Sequence, residues 1–328
     1  MKTLAQYEYL DRDAILSGVV EWIVKESPIL QMLPFKSIQG NSYKYNVETA
    51  LPTASWLTVG DTITESSGTS EQRSTDIYTM IQNCRTDKSA IALNSTQNPE
   101  TIDIQAGAKA MAHEFEKNFI MGQTTTTSNS KQFKGLMRVL AELESATTTD
   151  LDAGNNTQVI ANSATSAALT MAKMDELIDA VKGGKPDMLL MSRLSRRKLS
   201  ALQRASGSGV VMTDPNEYGL RMPTYDGIPI VVSDWMPDNL QDGSGSVLTI
   251  ASYDQSATYA SGYDNGIIFA IKLGEQDVTG LNAGEMKHER EEFSETYNAI
   301  TNRFVWYCGL ACFKKYSLAA LINIDVDA

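Results

Sequence analysis

The run NPETIDIQAGAKAMAHEFEKNFIMG, Asn98 to Gly122, decides how the rest of the chain must be arranged. Asn98 suits a helix cap and Pro99 the first turn. Glu100 and Asp103 sit at the end where the helix dipole favours negative charge. Ile104, Ala108, Met111, Phe115 and Phe119 then recur at spacings of four, three, four and four, one apolar stripe over about four turns. Gly122 ends the helix, and Gln123 to Ser130 is a polar loop. So long a stripe needs a sheet to cover it. The aromatic run Asn298 to Phe313 reads as a strand buried on both faces and is the candidate cover. Pairing the two brings the neighbourhoods of residues 100 and 310 together, with the middle of the chain inserted between them. Leu318 to Ile324 closes the chain.

Upstream of the helix, Ser42 to Glu48 alternates: Tyr43, Tyr45 and Val47 point one way, Lys44, Asn46 and Glu48 the other. A second strand pattern runs from Ile77 to Cys84. Between them Leu51, Trp56, Leu57, Val59 and Ile63 precede a polar run, Thr64 to Asp76, with no helical period. Such a connection is uncommon inside a compact domain, and two strands alone are marginal in water. The expectation is a long hairpin that leaves the body and packs on another subunit, those five apolar residues being its contacts. The alternative is a lid over an active site. Further upstream, Asp11 to Glu26 places Ile15, Val19, Trp22 and Ile23 on one helical face and stops before Ser27-Pro28. Residues 1–40 read as an arm whose apolar side, Trp22 and Ile23 included, docks on the body or on a neighbour.

Downstream, Met171, Met174, Leu177, Ile178 and Val181 form an amphipathic helix stopped by Gly183-Gly184. Met188 to Met191 is a short strand, and Ser192 caps a helix through Arg204. Ile228 to Val232, Val247 to Ala251 and Gly266 to Leu273 read as strands, so helices and strands alternate as in a mixed α/β layer. Ser206 to Pro223 and Asp238 to Ser246 have loop composition.

The 328 residues are 42% hydrophobic and 21% charged, a globular composition. No apolar run approaches the roughly 20 residues that span a bilayer, and the first residues lack the apolar block of a signal peptide. A cytoplasmic site of synthesis and no membrane partner are expected. The net charge of −12 does not suit a protein that grips DNA phosphates, though an acidic chain can enclose DNA without binding it tightly. Cys84, Cys308 and Cys312 are too few and too odd in number for a disulfide framework. Cys308 and Cys312 read as small buried hydrophobes, since a zinc site needs further Cys or His close by.

No catalytic constellation is expected. His113 is followed by Glu114 but by no second histidine four residues on, so the zinc-protease spacing fails and a solvated helix face is the reading. With His113 and His288 the only histidines, a His-based triad has few options. There is no Walker-type phosphate loop, and Glu289, Glu291 and Glu292 read as a solvated face. No catalytic residue, metal ligand or cofactor follows. Arg193, Arg196, Arg197, Lys198 and Arg204 form the one basic cluster. Contact with acidic groups of this chain or of a partner subunit is the modest reading, with Arg193, Arg196 and Arg197 as candidates. Direct DNA binding is the sharper one, but no stacking aromatics are interleaved.

In this order the features resemble the Hong Kong 97-type major capsid fold of tailed bacteriophages. Three stretches carry the likeness. Leu33-Pro34-Phe35, Ile38, Gly40-Asn41-Ser42-Tyr43, Glu48, Leu51-Pro52 and Trp56 resemble the arm and the start of that family's extended hairpin. Glu116, Phe119 and Gly122, with Phe133-Lys134-Gly135-Leu136 beyond the polar loop, resemble the end of its spine helix. Tyr225-Asp226-Gly227-Ile228-Pro229-Ile230, with Asp234 and Met236-Pro237, resembles its axial strand. The resemblance implies an α+β fold. Residues 1–40 would be an N-terminal arm and 41–90 an extended β-hairpin. Residues 91–135 and 285–328 would be a peripheral domain with spine helix and long sheet, the helix core being Ile104, Met111, Phe115 and Phe119. Residues 136–284 would be an inserted mixed α/β axial domain.

The resemblance also implies a major capsid protein assembling as pentamers and hexamers into an icosahedral shell. That shell would enclose double-stranded DNA without sequence-specific binding and be assembled in the host bacterial cytoplasm. Implied partners are other copies of the chain, a portal protein and a decoration protein, with scaffolding by a separate protein or none, because residues 1–40 leave no room for a long built-in scaffold. Some relatives cross-link the hairpin through a lysine, and none occurs from Glu48 to Arg85. An encapsulin-type nanocompartment shell shares the fold and is the alternative; a cytoplasmic hydrolase with a lid loop comes third.

Overall fold

The computed structural model describes residues 27–63, 65–93, 98–122, 131–144, 150–163, 166–205, 213–215, 221–238, 240, 247–249, 265–292 and 297–326. The arm helix expected over Asp11 to Glu26, with Trp22 and Ile23, lies outside the described residues. A short helix α1 (Pro28–Met32) and strand β1 (Phe35–Ser37) come first. They lead to the hairpin strands β2 (Ser42–Ala50) and β3 (Thr69–Asp76), then β4 (Tyr78–Asp87), α2 (Lys88–Leu93) and the long α3 (Pro99–Met121). The middle of the chain supplies α4 (Leu136–Glu144), β5 (Asp150–Asp152), β6 (Val159–Ala161), β7 (Ala167–Ala168), α5 (Met171–Ala180), β8 (Met188–Met191) and α6 (Arg193–Ala205). It continues with β9 (Thr213–Pro215), β10 (Arg221–Tyr225), β11 (Ile228–Val232) and β12 (Val247–Thr249). Strands β13 (Asn265–Ile271), β14 (Val278–Asn282), β15 (Lys287–Glu291), β16 (Ala299–Cys312) and β17 (Leu318–Asp325) complete it.

Helix α3 begins where the Asn98 side chain accepts from the Glu100 N–H at 3.0 Å. Glu100 accepts from Arg290 at 2.8 Å and from Asn302 at 2.9 Å, which ties the start of the helix to β15 and β16. At the other end the Gly122 N–H bonds to the Asn118 carbonyl at 2.8 Å, and the Gly135 N–H bonds to the Gly122 carbonyl at 2.9 Å. A Cβ on Gly122 would lie 2.2 Å from the Phe133 carbonyl oxygen, and one on Gly135 2.4 Å from the Gly122 nitrogen. The two backbones cross so closely that neither position tolerates a side chain, which explains why glycines bracket the loop from α3 into α4.

Two sheets enclose the core. In the first, β16 is central: β4 runs antiparallel along one edge, and β15 and β14 lie in tandem along the other, with β1 parallel to β14 outside. The second has eight strands in the order β6-β17-β13-β8-β11-β10-β9, with β7 also on β17. Strand alternation splits its side chains between two cores. Met188, Leu190, Phe269, Ile271 and Leu318 join one cluster with the α3 stripe and with Phe304, Trp306 and Cys308 of β16. Leu189, Met191, Ile268, Ala270 and Leu321 face the other way and are covered by Met174 and Leu177 of α5 and Leu199 of α6. The core of α3 therefore draws on both sheets. Ile104, Met111, Phe115 and Phe119 are all buried, and Phe115 meets Trp306 at 5.0 Å, Phe133 at 5.6 Å and Phe35 at 6.1 Å between ring centroids.

Two details differ from the sequence reading. The partner of β2 is Thr69–Asp76, inside the run read as polar connection, whereas the pattern from Ile77 to Cys84 falls, from Tyr78 on, in β4 in the body. β3 is exposed on both faces for most of its length, so it has no apolar alternation to announce it. Strand β17, grouped in the sequence reading with the sheet of the long helix, lies in the eight-stranded sheet beside β13, while β14, from before residue 285, lies against β16. A strand buried on both faces carries no mark of which sheet it enters.

Candidate inter-subunit surface

The hairpin is anchored at one end and bare at the other. At its base the alternation of β2 places Tyr43 and Tyr45 together, and both meet Phe313 just beyond β16, at 5.7 and 4.9 Å between centroids. The Tyr45 hydroxyl donates to the Cys312 carbonyl at 3.1 Å, and burial pushes its pKa up. Lys36 donates to the Tyr43 hydroxyl at 3.1 Å and lies 4.9 Å over its ring. From β3, Arg73 donates to the Leu143 carbonyl at the end of α4 at 3.3 Å. Beside these contacts a cleft of ≈ 350 Å³, lined by Tyr45, Glu71, Arg73, Lys134, Glu142 and Cys312 among others, separates the hairpin from the body. Sequence reasoning did not anticipate this clasp. The shared face of Tyr43 and Tyr45 was visible, but the position of Phe313 was not.

Beyond Ala50 the described residues 51–63 and 65–72 are exposed without exception. Thr53 and Ser66 bond across the loop at 2.8 Å. At the far end Asp61 N–H bonds to the Thr58 carbonyl at 3.1 Å, and Gly60 has φ +102, the conformation a type II turn requires at its third position. On this thin support stand Leu51 at 74%, Trp56 at 102%, Val59 at 104% and Ile63 at 76% exposure, with Leu57 half exposed. Scattered exposed apolar residues are ordinary; five on one projection with no core beneath them among the described residues are not.

The expected basic residues lie elsewhere, on α6. The Ser192 hydroxyl caps this helix by accepting from the Ser195 N–H at 3.1 Å. Arg193, Arg196 and Arg197 are exposed, and Arg193 pairs through two nitrogens with Asp234 after β11. The hairpin residues and this arginine face are thus not brought together within one subunit.

The other candidates for chemistry are occupied structurally. Cys308 and Cys312 are buried, and burial pushes both thiols up to about 12, far from the thiolate form that reacts. His288 contacts Asn302 at 3.0 Å and stacks on Phe304 at 4.8 Å. His113 is exposed and lies against Trp235 at 5.8 Å. Glu116 is buried on α3 and accepts from the Ser233 hydroxyl at 2.5 Å; burial raises its pKa, an effect that hydroxyl only partly offsets. No helix among the described residues is long and apolar enough to cross a membrane.

A model of the phage capsid family matches residues 9–269. No curated protein matches the sequence. Among solved structures, the chain is similar to the holo-SrpI encapsulin complex from Synechococcus elongatus, with a TM-score of 0.63, 16% identity, and coverage of 92% of this chain and 89% of that one. It is also similar to a chain from Mycobacterium phage Bobi, with a TM-score of 0.58, 14% identity, and 91% and 90% covered. A third likeness is to the capsid of a native GTA particle, with a TM-score of 0.57, 12% identity, and 90% of each chain covered. At such identities the likeness establishes the fold, the Hong Kong 97 type.

Proposed function

The chain belongs to the phage capsid family, and from that premise we propose that it is a major capsid protein whose copies form pentamers and hexamers of an icosahedral shell around double-stranded DNA. As a capsid shell protein it has a structural role. The five-stranded sheet with α3 takes the peripheral place, and the eight-stranded sheet with α5 and α6 the axial one. Assembly occurs in the host cytoplasm, with a portal protein, a decoration protein and separate scaffolding, if any, as further partners. DNA is enclosed and not gripped, in keeping with a net charge of −12.

The observation that carries this reading is the hairpin: anchored at Tyr43, Tyr45 and Phe313, it holds Trp56, Val59, Ile63 and Leu51 in water. A tryptophan buries roughly 150–250 Å² on contact. At about 25 cal/mol per Å² that is on the order of 4–6 kcal/mol gross, before the entropic cost of association. A neighbouring subunit supplies the missing cover. The test is Trp56→Ala in the full chain, followed by circular dichroism and electron microscopy. Native folding with impaired shell assembly is expected; shells formed as readily as by the wild type would rule the hairpin out.

A second reading, a nanocompartment shell around protein cargo, is favoured by the likeness to the encapsulin complex. The two differ in contents: purified particles holding nucleic acid support the capsid, and particles holding an enzyme support the compartment.

A further inference from the structure

Helix α6 breaks two local rules at once. Arg193, Arg196 and Arg197 fall within its first five residues, and its first turn holds no acidic residue. Cations there face the positive end of the helix dipole. They also lie three and four residues apart on one exposed stripe, where like charges repel. Arg204 extends the stripe and donates to the Ser200 carbonyl at 3.1 Å. Among the described residues this conflict is offset where Asp234 pairs with Arg193. Among the described residues Arg196 and Arg197 have no acidic partner. A local conflict that the described residues leave uncompensated points to compensation from outside the subunit.

On the same helical layer, over the same face of the eight-stranded sheet, α5 shows the opposite sign. Asp175, Glu176 and Asp179 are exposed on it, while Met174 and Leu177 of α5 and Leu199 of α6 share one core cluster. Asp175 accepts from the Tyr225 hydroxyl at 2.6 Å, and Glu176 pairs with Lys173 at 2.7 Å. Asp179 has no cationic partner among the described residues, and none of these acids pairs with an arginine of α6 in the same chain.

We propose that the arginine face of α6 in one subunit seats against the acidic face of α5 in a second copy. The proposal rests on the shell reading and adds to it a contact separate from the hairpin. A contact between two different patches of one chain is heterologous, and a rotation that closes repeats it into a ring. The choice of another copy over DNA follows from charge. The chain carries 40 acidic against 28 basic residues, so the basic stripe is an exception on an acidic surface, not part of a broad phosphate-binding face.

The test uses the purified full-length chain, followed by sedimentation velocity across salt concentration and by electron microscopy. Arg196→Glu with Arg197→Glu should weaken association roughly tenfold or more, and adding Glu176→Lys with Asp179→Lys should restore it. Wild-type association should also weaken with salt. Arg196→Gln with Arg197→Gln should melt at or above the wild-type temperature while associating less well, because the helix loses its repulsion and the interface loses its cations. Equal assembly of the reversed variant overturns the contact and leaves the shell reading standing, as does reversed protein that assembles normally but retains less nucleic acid, which would make DNA the anion. Loss without rescue overturns α5 as the counterpart, and a lower melting temperature for the glutamine variant makes the arginines internal supports. A wild type that never associates overturns both readings.

Discussion

Phe115 and Trp56 are both large aromatic residues, yet Phe115 is 1% exposed in the middle of α3 and Trp56 is 102% exposed toward the end of the hairpin. Around Phe115 stand rings from the chain's beginning (Phe35), from the loop before α4 (Phe133) and from the late strand β16 (Trp306). Around Trp56 the described chain offers nothing but exposed neighbours. The helix meets its cover within one molecule and so serves folding. Among the described residues the hairpin finds no such cover, and under the proposed shell assembly any stabilisation from its apolar residues comes from association.

Substitutions put this contrast at risk in graded steps. Phe115→Ala should have the largest effect, about 3–5 kcal/mol of lost stability, read by urea denaturation of the subunit. Gly135→Ala should cost about 1–3 kcal/mol in the same assay, because its Cβ would meet backbone atoms of Gly122 and Ile120. Asn98→Ala should cost about 1 kcal/mol through loss of the cap on α3.

Glu116 tests the helix side through pH. Its folded pKa is raised by burial, so the folded subunit holds that proton more tightly than the unfolded chain does. Its contribution is fully present below the ordinary glutamate range and is lost as pH rises through the raised value. His113 and Asp234 also act on this group. Melting temperatures across that window should therefore fall more for the wild type than for Glu116→Gln; parallel profiles would show that Glu116 is ionised at little cost. Trp56→Ala should have the smallest effect on the isolated subunit, within about 0.5 kcal/mol. A loss approaching that of Phe115→Ala would mean the hairpin folds back onto its own body and would erase the contrast.

How far each region could be read in advance follows the same division. The α3 stripe, its cap and its terminating glycine were legible because a half-buried helix writes its burial into a period of 3.6. Strand β16 was legible because burial on both faces leaves an unbroken apolar run. β3, TSEQRSTD, was missed because a strand exposed on both faces has no reason to alternate. The clasp of Tyr43, Tyr45 and Phe313 joins residues far apart in the chain, and no local pattern marks such a meeting. The apolar residues of the hairpin were legible as residues without a core of their own, while the arginines of α6 showed their cluster but not its conflict with the helix start.

Periodicity, capping residues and composition were enough to set the identity of the main helices and strands and the family likeness, because each depends on neighbours within a few residues. Which sheet receives β17, where the hairpin is clasped, and which apolar and charged side chains are left without partners depend on contacts between distant segments. Those contacts exist only once the chain has closed on itself, and among the described residues the hairpin tip and the arginine face are not closed by it.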